Sequence, residues 1–476
     1  AMSSNSSGMM MMEEEEEDPQ QGEQGWGHVL RRYTVHKKIG YGGFSSVFKV
    51  QRRVGTHKHT PFALKRITCT TGVNKLKAEV SMLLRLKGCP NVAQLLDVVR
   101  EPDQSQVCLV FEYFRHKPFK EYLQWFTFAH IRVYMRELLR ALECLHERSI
   151  VHRDIKPSNF LCHPCDPWNP ESMKFMLVDF GLAQMDCRLQ NLKSRGSSSS
   201  SSTPSSAPSA LGPSNFPRGQ GADRKRAAAG APLTPRRKRA GLGTTAREAG
   251  ASMNKKSSLI ESSRLPARSL VNTLTGGIGS RPLQKKPFPT IHGVITEAER
   301  QLKPMEANRG GTRGFRAPEV LVKSRYQTTA IDIWSAGVIF LSLLTKVYPF
   351  FISGYDLTSL LEITQFVGSA RVNQGLAGVG RTLETEFCPD RTWAENIKGV
   401  LGNRFSREEV ERLDADPEFH AAVDLLERML EINPSSRITA EVALQHPFLI
   451  SHDEVERQFS GHCSLSSPST PRSSTS

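Results

Sequence analysis

The segment "VHRDIKPSNFL" (residues 151–161) carries the reading of this chain. It holds Asp154 and Asn159 on one loop, with Lys156 between them. That spacing suits a catalytic base and a metal-binding amide, and the lysine can neutralise charge on a transferred phosphoryl group. Downstream, "VDFG" (178–181) follows a strand-like run and offers Asp179 to a divalent cation. "FRAPE" (315–319) and "DIWSAG" (332–337) come next. Upstream, "FALK" (62–65) puts Lys65 on a strand, with Glu79 on the helix that follows. Before it, "IGYGGFSSVFKV" (39–50) reads as strand–turn–strand, in which glycine lets the backbone approach phosphates and an apolar residue covers a base. Singly, these are a turn, a surface lysine and a solvated glutamate. Six such segments in this order, on these elements, leave little room for accident.

The flanking sequence gives an element order. "YTVHKKIG", "SSVFKVQRR" and "PFALKRITC" read as antiparallel strands, and "VAQLLDVV" and "QVCLVFEYF" as further strands. "NKLKAEVSMLLRLKG" places Leu76, Val80, Leu83 and Leu84 at helical spacing and stops at Gly88. "AHIRVYMRELLRALECLHERS" is a long amphipathic helix. "AIDIWSAGVIFLSLLTKVYPF" is a helix expected to end at Pro349, and the stretch after residue 420 reads as two helices around a proline turn. The expected divisions are a loose acidic N-terminus (1–30), a first folded part (31–186), a basic Ser/Pro-rich insert (187–308), a second folded part (309–450) and a loose tail (451–476).

Composition bounds the rest. The chain has 476 residues, 38% of them hydrophobic, a low share that fits one folded region with disordered additions. No apolar run reaches the length of a bilayer span, and the N-terminus lacks the features of a secretory signal, so a soluble intracellular protein is expected. Ala1 before Met2 has the look of an expression scar. Nine scattered cysteines then read as reduced thiols. "CHPC" (162–165) lacks the second ligand pair that a zinc site needs and reads as a polar loop. The net charge of +15 is local: from Arg188 to Arg309 there are 22 Lys/Arg against 6 Asp/Glu.

On these motifs the chain resembles the eukaryotic protein kinase family over about 33–186 and 309–450. The resemblance implies an α+β, bilobal fold with a β-rich N-lobe, a helical C-lobe and a long insert in the activation segment. ATP would lie between the lobes under the glycine loop, Ile39, Gly40, Tyr41, Gly42, Gly43, Phe44, Ser45, Ser46 and Val47. Ser45 stands where a third glycine is customary, which bears on loop flexibility. Ala63 and Leu161 would enclose adenine, Phe111 would be the gatekeeper, and Glu112 and Phe114 would supply hinge contacts. Lys65, held by Glu79, would engage the phosphates. Asp154 would act as base, and Asn159 and Asp179 would hold Mg2+. Asp332 would brace the catalytic loop, Glu319 would pair with Arg437, and Phe180, His152 and Leu83 would stack between the lobes. Lys156 and Thr312 fit the Ser/Thr branch.

"GFSSVF", "FGLAQ", "GFRAPEVL" and "TTAIDIWSAGVIFLSLLTKVYPF" together look like the cell division cycle seven kinases, which license replication origins to fire. That likeness implies an activating regulatory subunit, nuclear substrates in the minichromosome maintenance helicase, and target hydroxyls followed by acidic or phosphorylated residues. Neither a membrane nor direct DNA binding is required. Arg313 and Arg316 would face the residue after the target hydroxyl, where arginine suits carboxylate or phosphate; an internal role is the rival reading for Arg316. "DRKR" (223–226) and "PRRKR" (235–239) read as a two-part nuclear import signal, with non-specific DNA attraction as runner-up. Thr234 lies in a proline-directed site. The alternatives are an autonomous cyclin-dependent-kinase-like or casein-kinase-like enzyme, a pseudokinase scaffold, and a DNA-binding protein driven by the insert.

Overall fold

A computed structural model describes residues 26–42, 45–54, 60–68, 73–100, 106–186, 289–293, 310–325 and 327–450. The basic clusters of the insert, Thr234 and the tail lie outside the described residues.

The first lobe is built on β1 (Tyr33–Gly42), β2 (Ser45–Arg52), β3 (Pro61–Thr68), β4 (Leu95–Arg100) and β5 (Gln106–Glu112), preceded by α1 (Gly27–Arg32). The strands pair antiparallel in the order β1-β2-β3-β5-β4. β5 is covered on both faces, which is why it reads as a continuous apolar run. Its side chains alternate: Val107 and Leu109 join Met82 and Leu83 of α2 (Val73–Arg85) and Leu86 just after it, while Cys108 and Val110 join Phe48, Val50, Phe62 and Leu64.

The second of those clusters is closed by α1. Trp26 meets Phe48 edge to face at 5.0 Å, Arg66 lies 4.5 Å over the Trp26 ring, and Val29 is fully buried. Residues 26–30, counted with the loose N-terminus on composition, therefore belong to the folded lobe. One tryptophan and one valine are enough to anchor them, and an average over an acidic segment hides that.

The helical lobe follows with α3 (Phe119–Leu123), α4 (Phe128–Glu147), β6 (Ile150–Val151), β7 (Phe160–His163), β8 (Lys174–Leu177) and β9 (Gln184–Met185). β6 pairs with β9 and β7 with β8, so the catalytic-loop segment is held between two short ladders. Next come β10 (Thr290–Gly293), α5 (Pro318–Leu321), α6 (Ala330–Thr345), α7 (Asp356–Val367), α8 (Ser369–Ala377) and β11 (Arg381–Glu384). Then follow α9 (Trp393–Gly402), α10 (Arg407–Asp414), α11 (Pro417–Met429) and α12 (Ala440–Leu444). None of the helices of the described residues is long and apolar enough to cross a membrane.

β10 lies inside the insert (187–308) expected to be mostly disordered. It pairs antiparallel with β11, Ile291 opposite Leu383, so residues 290–293 are stitched to the helical lobe. Four residues in a basic background give no periodicity to read.

α6 is buried all round, as its composition requires. Its hydroxyls are satisfied along the helix: Ser342 donates to the Val338 carbonyl at 3.0 Å and Thr345 to Leu341 at 2.7 Å. The helix ends at Thr345, ahead of Pro349, because Lys346 takes a left-handed conformation (φ 57°). The Lys346 ammonium donates to the Phe126 carbonyl at 2.5 Å, and burial lowers its pKa to about 8. Between that value and the ordinary 10.5 the unfolded chain binds the extra proton. Unfolding free energy is therefore expected to rise with pH across that window, by up to roughly 3 kcal/mol. Denaturant titrations over this range should give the wild type a slope that Lys346→Met lacks.

The reduced-thiol expectation fails at one pair. Cys89 and Cys144 form a disulfide with their α-carbons 5.9 Å apart. They lie 55 positions apart in sequence and meet only because the turn after α2 packs on α4. Cys162 and Cys165 are free, and no cluster of metal ligands occurs among the described residues.

Candidate active site

The loop between β6 and β7 is shaped by a buried carboxylate. Asp332, in the first turn of α6, is fully inaccessible. Its Oδ2 accepts from the His152 backbone N–H at 2.8 Å, and its Oδ1 from that of Arg153 at 2.8 Å. His146 Nε2 lies 3.1 Å from the same carboxylate. These donors hold Arg153 at φ 71°, a left-handed turn that aims the next residue, Asp154, out of the loop.

Asp154 is surrounded by the groups its motif supplies. Oδ1 accepts from the Thr312 hydroxyl at 2.7 Å. Oδ2 lies 2.9 Å from Lys156 Nζ and accepts from Asn159 Nδ2 at 3.0 Å. Lys156 also donates to Thr312 at 2.8 Å, which closes a triangle of acid, ammonium and hydroxyl. Thr312 comes from beyond the insert, so the segment resumed at Gly310 docks on the catalytic loop. Gly311 makes that docking possible: it stands at φ 95°, and a Cβ there would lie 2.6 Å from the Arg153 carbonyl.

A second constellation sits above. Lys65 Nζ lies 2.8 Å from Glu79 Oε1 and 2.8 Å from Asp179 Oδ1. Burial lowers the ammonium's pKa, but the two carboxylates outweigh it and hold the group above its ordinary value. For Asp179, burial pushes upward, and the adjacent Lys65 outweighs it and keeps the carboxyl below its usual range. Asp179 sits at φ 66°, its side chain about half exposed (48%), directly before the buried Phe180. The Phe180 and His152 rings meet at 4.9 Å, and Leu83 is buried in the same core.

Strand register sets the wall of the cleft. Val47 is paired with Lys65 and with Gly40, Ala63 with Phe111, and Phe62 with Glu112. Tyr41, Ser45 and Ser46 continue the β1–β2 hairpin, in which Gly42 pairs with Ser45; Gly43 and Phe44 lie outside the described residues. Ile39 is 38% exposed at the edge of the hairpin, and Leu161 is half-buried on β7. The Phe114 carbonyl oxygen lies 3.0 Å from His116 Nδ1.

The residues fit a divalent cation with a polyphosphate. Asp179 offers a half-exposed, acidic carboxylate, and Asn159, its nitrogen turned to Asp154, has its amide oxygen to give. Hard oxygen donors in small number, completed by phosphate and water, suit such an ion.

Arg316 lines a pocket with Asp154 and Thr312 and is held from within the chain. Its Nε and Nη2 donate to the Gly311 carbonyl at 3.0 and 2.9 Å, and its Nη1 to Asp356 at 2.7 Å. These are the internal partners that the rival reading expects, and Arg313 is exposed. Sequence reasoning missed His146, which shares Asp332 with the loop, and Asn91, whose amide donates to the Glu137 carbonyl and carboxylate at 3.2 and 2.7 Å. The only signal for Asn91 was a Gly-Cys-Pro-Asn cluster, which marks a turn and no more.

A base with a cation beside it, under a lysine held by two carboxylates, defines a nucleotide-dependent phosphotransferase of two lobes. A profile described as the protein kinase domain matches residues 33–212 and 292–449. A probable cell division control protein 7 homolog of Encephalitozoon cuniculi is 34% identical over 423 residues, covering 88% of this chain and 92% of that protein. The cell division cycle 7-related protein kinase of Homo sapiens is 28% identical over 87% of this chain and 89% of its own length. The cell cycle protein kinase spo4 of Schizosaccharomyces pombe is 28% identical over 87% and 85%. The chain belongs to the protein kinase family and, within it, to the cell division cycle 7 group: a cell-cycle serine/threonine kinase that uses ATP and a divalent metal.

Proposed function

We propose that this chain is the catalytic subunit of an origin-firing kinase. It phosphorylates replication-initiation proteins such as the minichromosome maintenance helicase, in the nucleus, at Ser or Thr followed by an acidic or phosphorylated residue. A regulatory subunit activates it. The Asp154–Lys156–Thr312 triangle beneath the Glu79–Lys65–Asp179 bridge carries the phosphotransfer part of this reading, and the likeness to the cell division cycle 7 kinases supports the replication part.

Bound Mg2+–ATP supplies the transferable phosphoryl group and the divalent charge. Lys65, fixed by Glu79, would orient the α- and β-phosphates, and Asn159 and Asp179 would hold the metal. Asp154 takes the proton of the substrate hydroxyl. Lys156 faces the charge that develops on the phosphoryl oxygens. Thr312 ties the returning segment to both, and so aligns the peptide with the base. Arg313, exposed on that segment, is the residue to favour an acidic group after the target hydroxyl.

An apolar groove of about 540 Å³ on α2 and β4 supports partner dependence. Leu76, Val80, Leu84 and Val98 line it, Leu84 is 62% exposed, and Lys77, Arg85 and Arg100 rim it. A subunit with an apolar helix face and acidic flanks would fit, and would press on the helix that carries Glu79. The second reading, an autonomous kinase, is favoured by Lys65 and Glu79 already being 2.8 Å apart in the single chain.

One assay separates the two. The chain is tested alone and with the regulatory subunit, on peptides that differ only by Asp or Asn after the target Ser. At least about a tenfold gain from the subunit and about tenfold for Asp are expected, one charge-assisted contact apiece. Equal turnover with and without the subunit selects the autonomous reading, and equal turnover of the peptides removes the acidic preference.

A further inference from the structure

The Cys89–Cys144 bond lies where the helix bearing Glu79 is fastened to the helical lobe. Cys89 follows Gly88 (φ 82°) in the turn that leaves α2, and Cys144 is in the last turns of α4. Their α-carbon separation of 5.9 Å is one that a disulfide spans without backbone movement. The turn is also pinned by Asn91, which donates to Glu137 on α4, and by Leu177, whose N–H donates to the Asn91 carbonyl at 2.7 Å. Those are hydrogen bonds that can open and close, whereas the bond between the sulfurs adds a covalent stop at the base of α2.

The surroundings of Cys144 suit redox chemistry. Arg148 Nη1 lies 3.0 Å from its sulfur and 3.0 Å from its carbonyl oxygen. A guanidinium beside the sulfur favours the thiolate once the bond is open. Cys144 is half-buried, so an oxidant can reach it, while Cys89 is 5% exposed and within bonding reach behind it. The free thiols differ: Cys162 is buried and its pKa raised by that burial, and the Cys388 pKa is raised as well.

We propose that Cys89 and Cys144 are a reversible redox tether that fixes α2 against α4 and thereby sets how firmly Glu79 is held beside Lys65. The oxidant is a hydroperoxide. The Cys144 thiolate attacks the peroxide oxygen, the O–O bond breaks, and a sulfenic acid forms as hydroxide leaves and is protonated to water. The Cys89 thiol then attacks that sulfur, the S–O bond breaks, and a second water departs. Two thiols have lost two electrons and one hydrogen peroxide has gained them. A dithiol reverses the step by exchange. In assigning the consequence to Glu79, the inference rests on the function proposed above. Its readouts are a covalent bond and amide exchange, so it can fail without touching the kinase assignment, and the reverse.

The full chain is treated with hydrogen peroxide or with dithiothreitol, blocked with N-ethylmaleimide, and mapped by mass spectrometry without reduction. In parallel, hydrogen exchange is followed in the amides of α2. The peroxide-treated chain should yield a peptide pair linked through Cys89 and Cys144 that dithiothreitol removes. Its α2 amides should exchange at least threefold more slowly, and Cys144→Ser should show neither response. The wild-type comparison stands alone if that variant fails to fold. The proposal is overturned if both cysteines stay alkylatable when exposed Cys165 is oxidised, if the link resists dithiothreitol, or if α2 exchanges equally in the two forms.

Discussion

Asp154→Asn is expected to lower kcat by about 10²–10⁴ while leaving the protein folded, the range a positioned base contributes. The substitution keeps the shape of the side chain and one oxygen to accept from Thr312, whose hydroxyl now lies 2.7 Å from Oδ1. What it removes is the acceptor for the substrate proton and the anion that Lys156 faces at 2.9 Å. The loss corresponds to about 3–5 kcal/mol of transition-state stabilisation. It should fall on kcat with KM for ATP nearly unchanged, because the nucleotide is held by the other constellation. Lys65→Met is the contrast. It leaves the Glu79 and Asp179 carboxylates without the cation that bridges them at 2.8 Å each, so ATP affinity and turnover should both fall. Steady-state kinetics with thermal melting of both variants checks this, and wild-type turnover in purified Asp154→Asn would reject the base. The same bridge has a pH signature. The Asp179 pKa is lowered in the fold, so the stabilisation it gives is complete above the ordinary carboxylate value and is lost as pH falls through the depressed one.

The constellations were legible because their chemistry fixes residue type and local spacing together. Lys156 and Asn159 sit on the same loop as Asp154, and backbone geometry leaves them few places to go. Long-range partners were legible only where a motif names both ends, as with Glu319 and Arg437. Arg316 shows the limit. From sequence, a guanidinium beside the active segment can face a substrate or turn inward, and its partners Asp356 and the Gly311 carbonyl lie too far off in kind or in sequence for a motif to name. The stretch from 370 to 415, which carries little apolar period, folds into α8, β11, α9 and α10. Its signals were present: Thr392 with Glu395 and Ser406 with Glu409 are capping boxes, each with reciprocal side-chain bonds. They were obscured because the helices they start are short and half-exposed, so the apolar period is weak. The Cys89–Cys144 bond lay beyond reach for a different reason. Compartment arguments speak to whether a disulfide persists, not to which sulfurs a fold brings together.

Breaking the Glu319–Arg437 pair is expected to cause the largest loss of stability, about 3–5 kcal/mol for Glu319→Ala. Both side chains are completely inaccessible, and the pairing is bidentate at 2.8 and 3.0 Å. Arg437 also donates to the carbonyls of Ala330 at 2.8 Å, Glu431 at 2.8 Å and Ile432 at 3.2 Å, and lies 5.2 Å over the Trp334 ring. Its remaining donors are thus well used, and removing the glutamate strands a positive charge with no water to take it. The cost is therefore that of an uncompensated buried ion rather than the worth of one contact. Replacing both, as Glu319→Leu with Arg437→Met, removes the stranded charge, so the double variant should lose less than the two single variants summed. A coupling energy near zero from denaturant unfolding of the four proteins would reject this account. Kinetics should register the loss too. Glu319 lies in the first turn of α5, and Gly314, five residues earlier, packs on the Phe351 carbonyl at a φ of 83° that only glycine takes readily. The Glu319–Arg437 pair is thus the far anchor of the segment whose near end, Thr312, touches Asp154. Loosening it should lower kcat for peptide even at temperatures where the variant stays folded, because the hydroxyl that aligns base and substrate is held in place by that anchor.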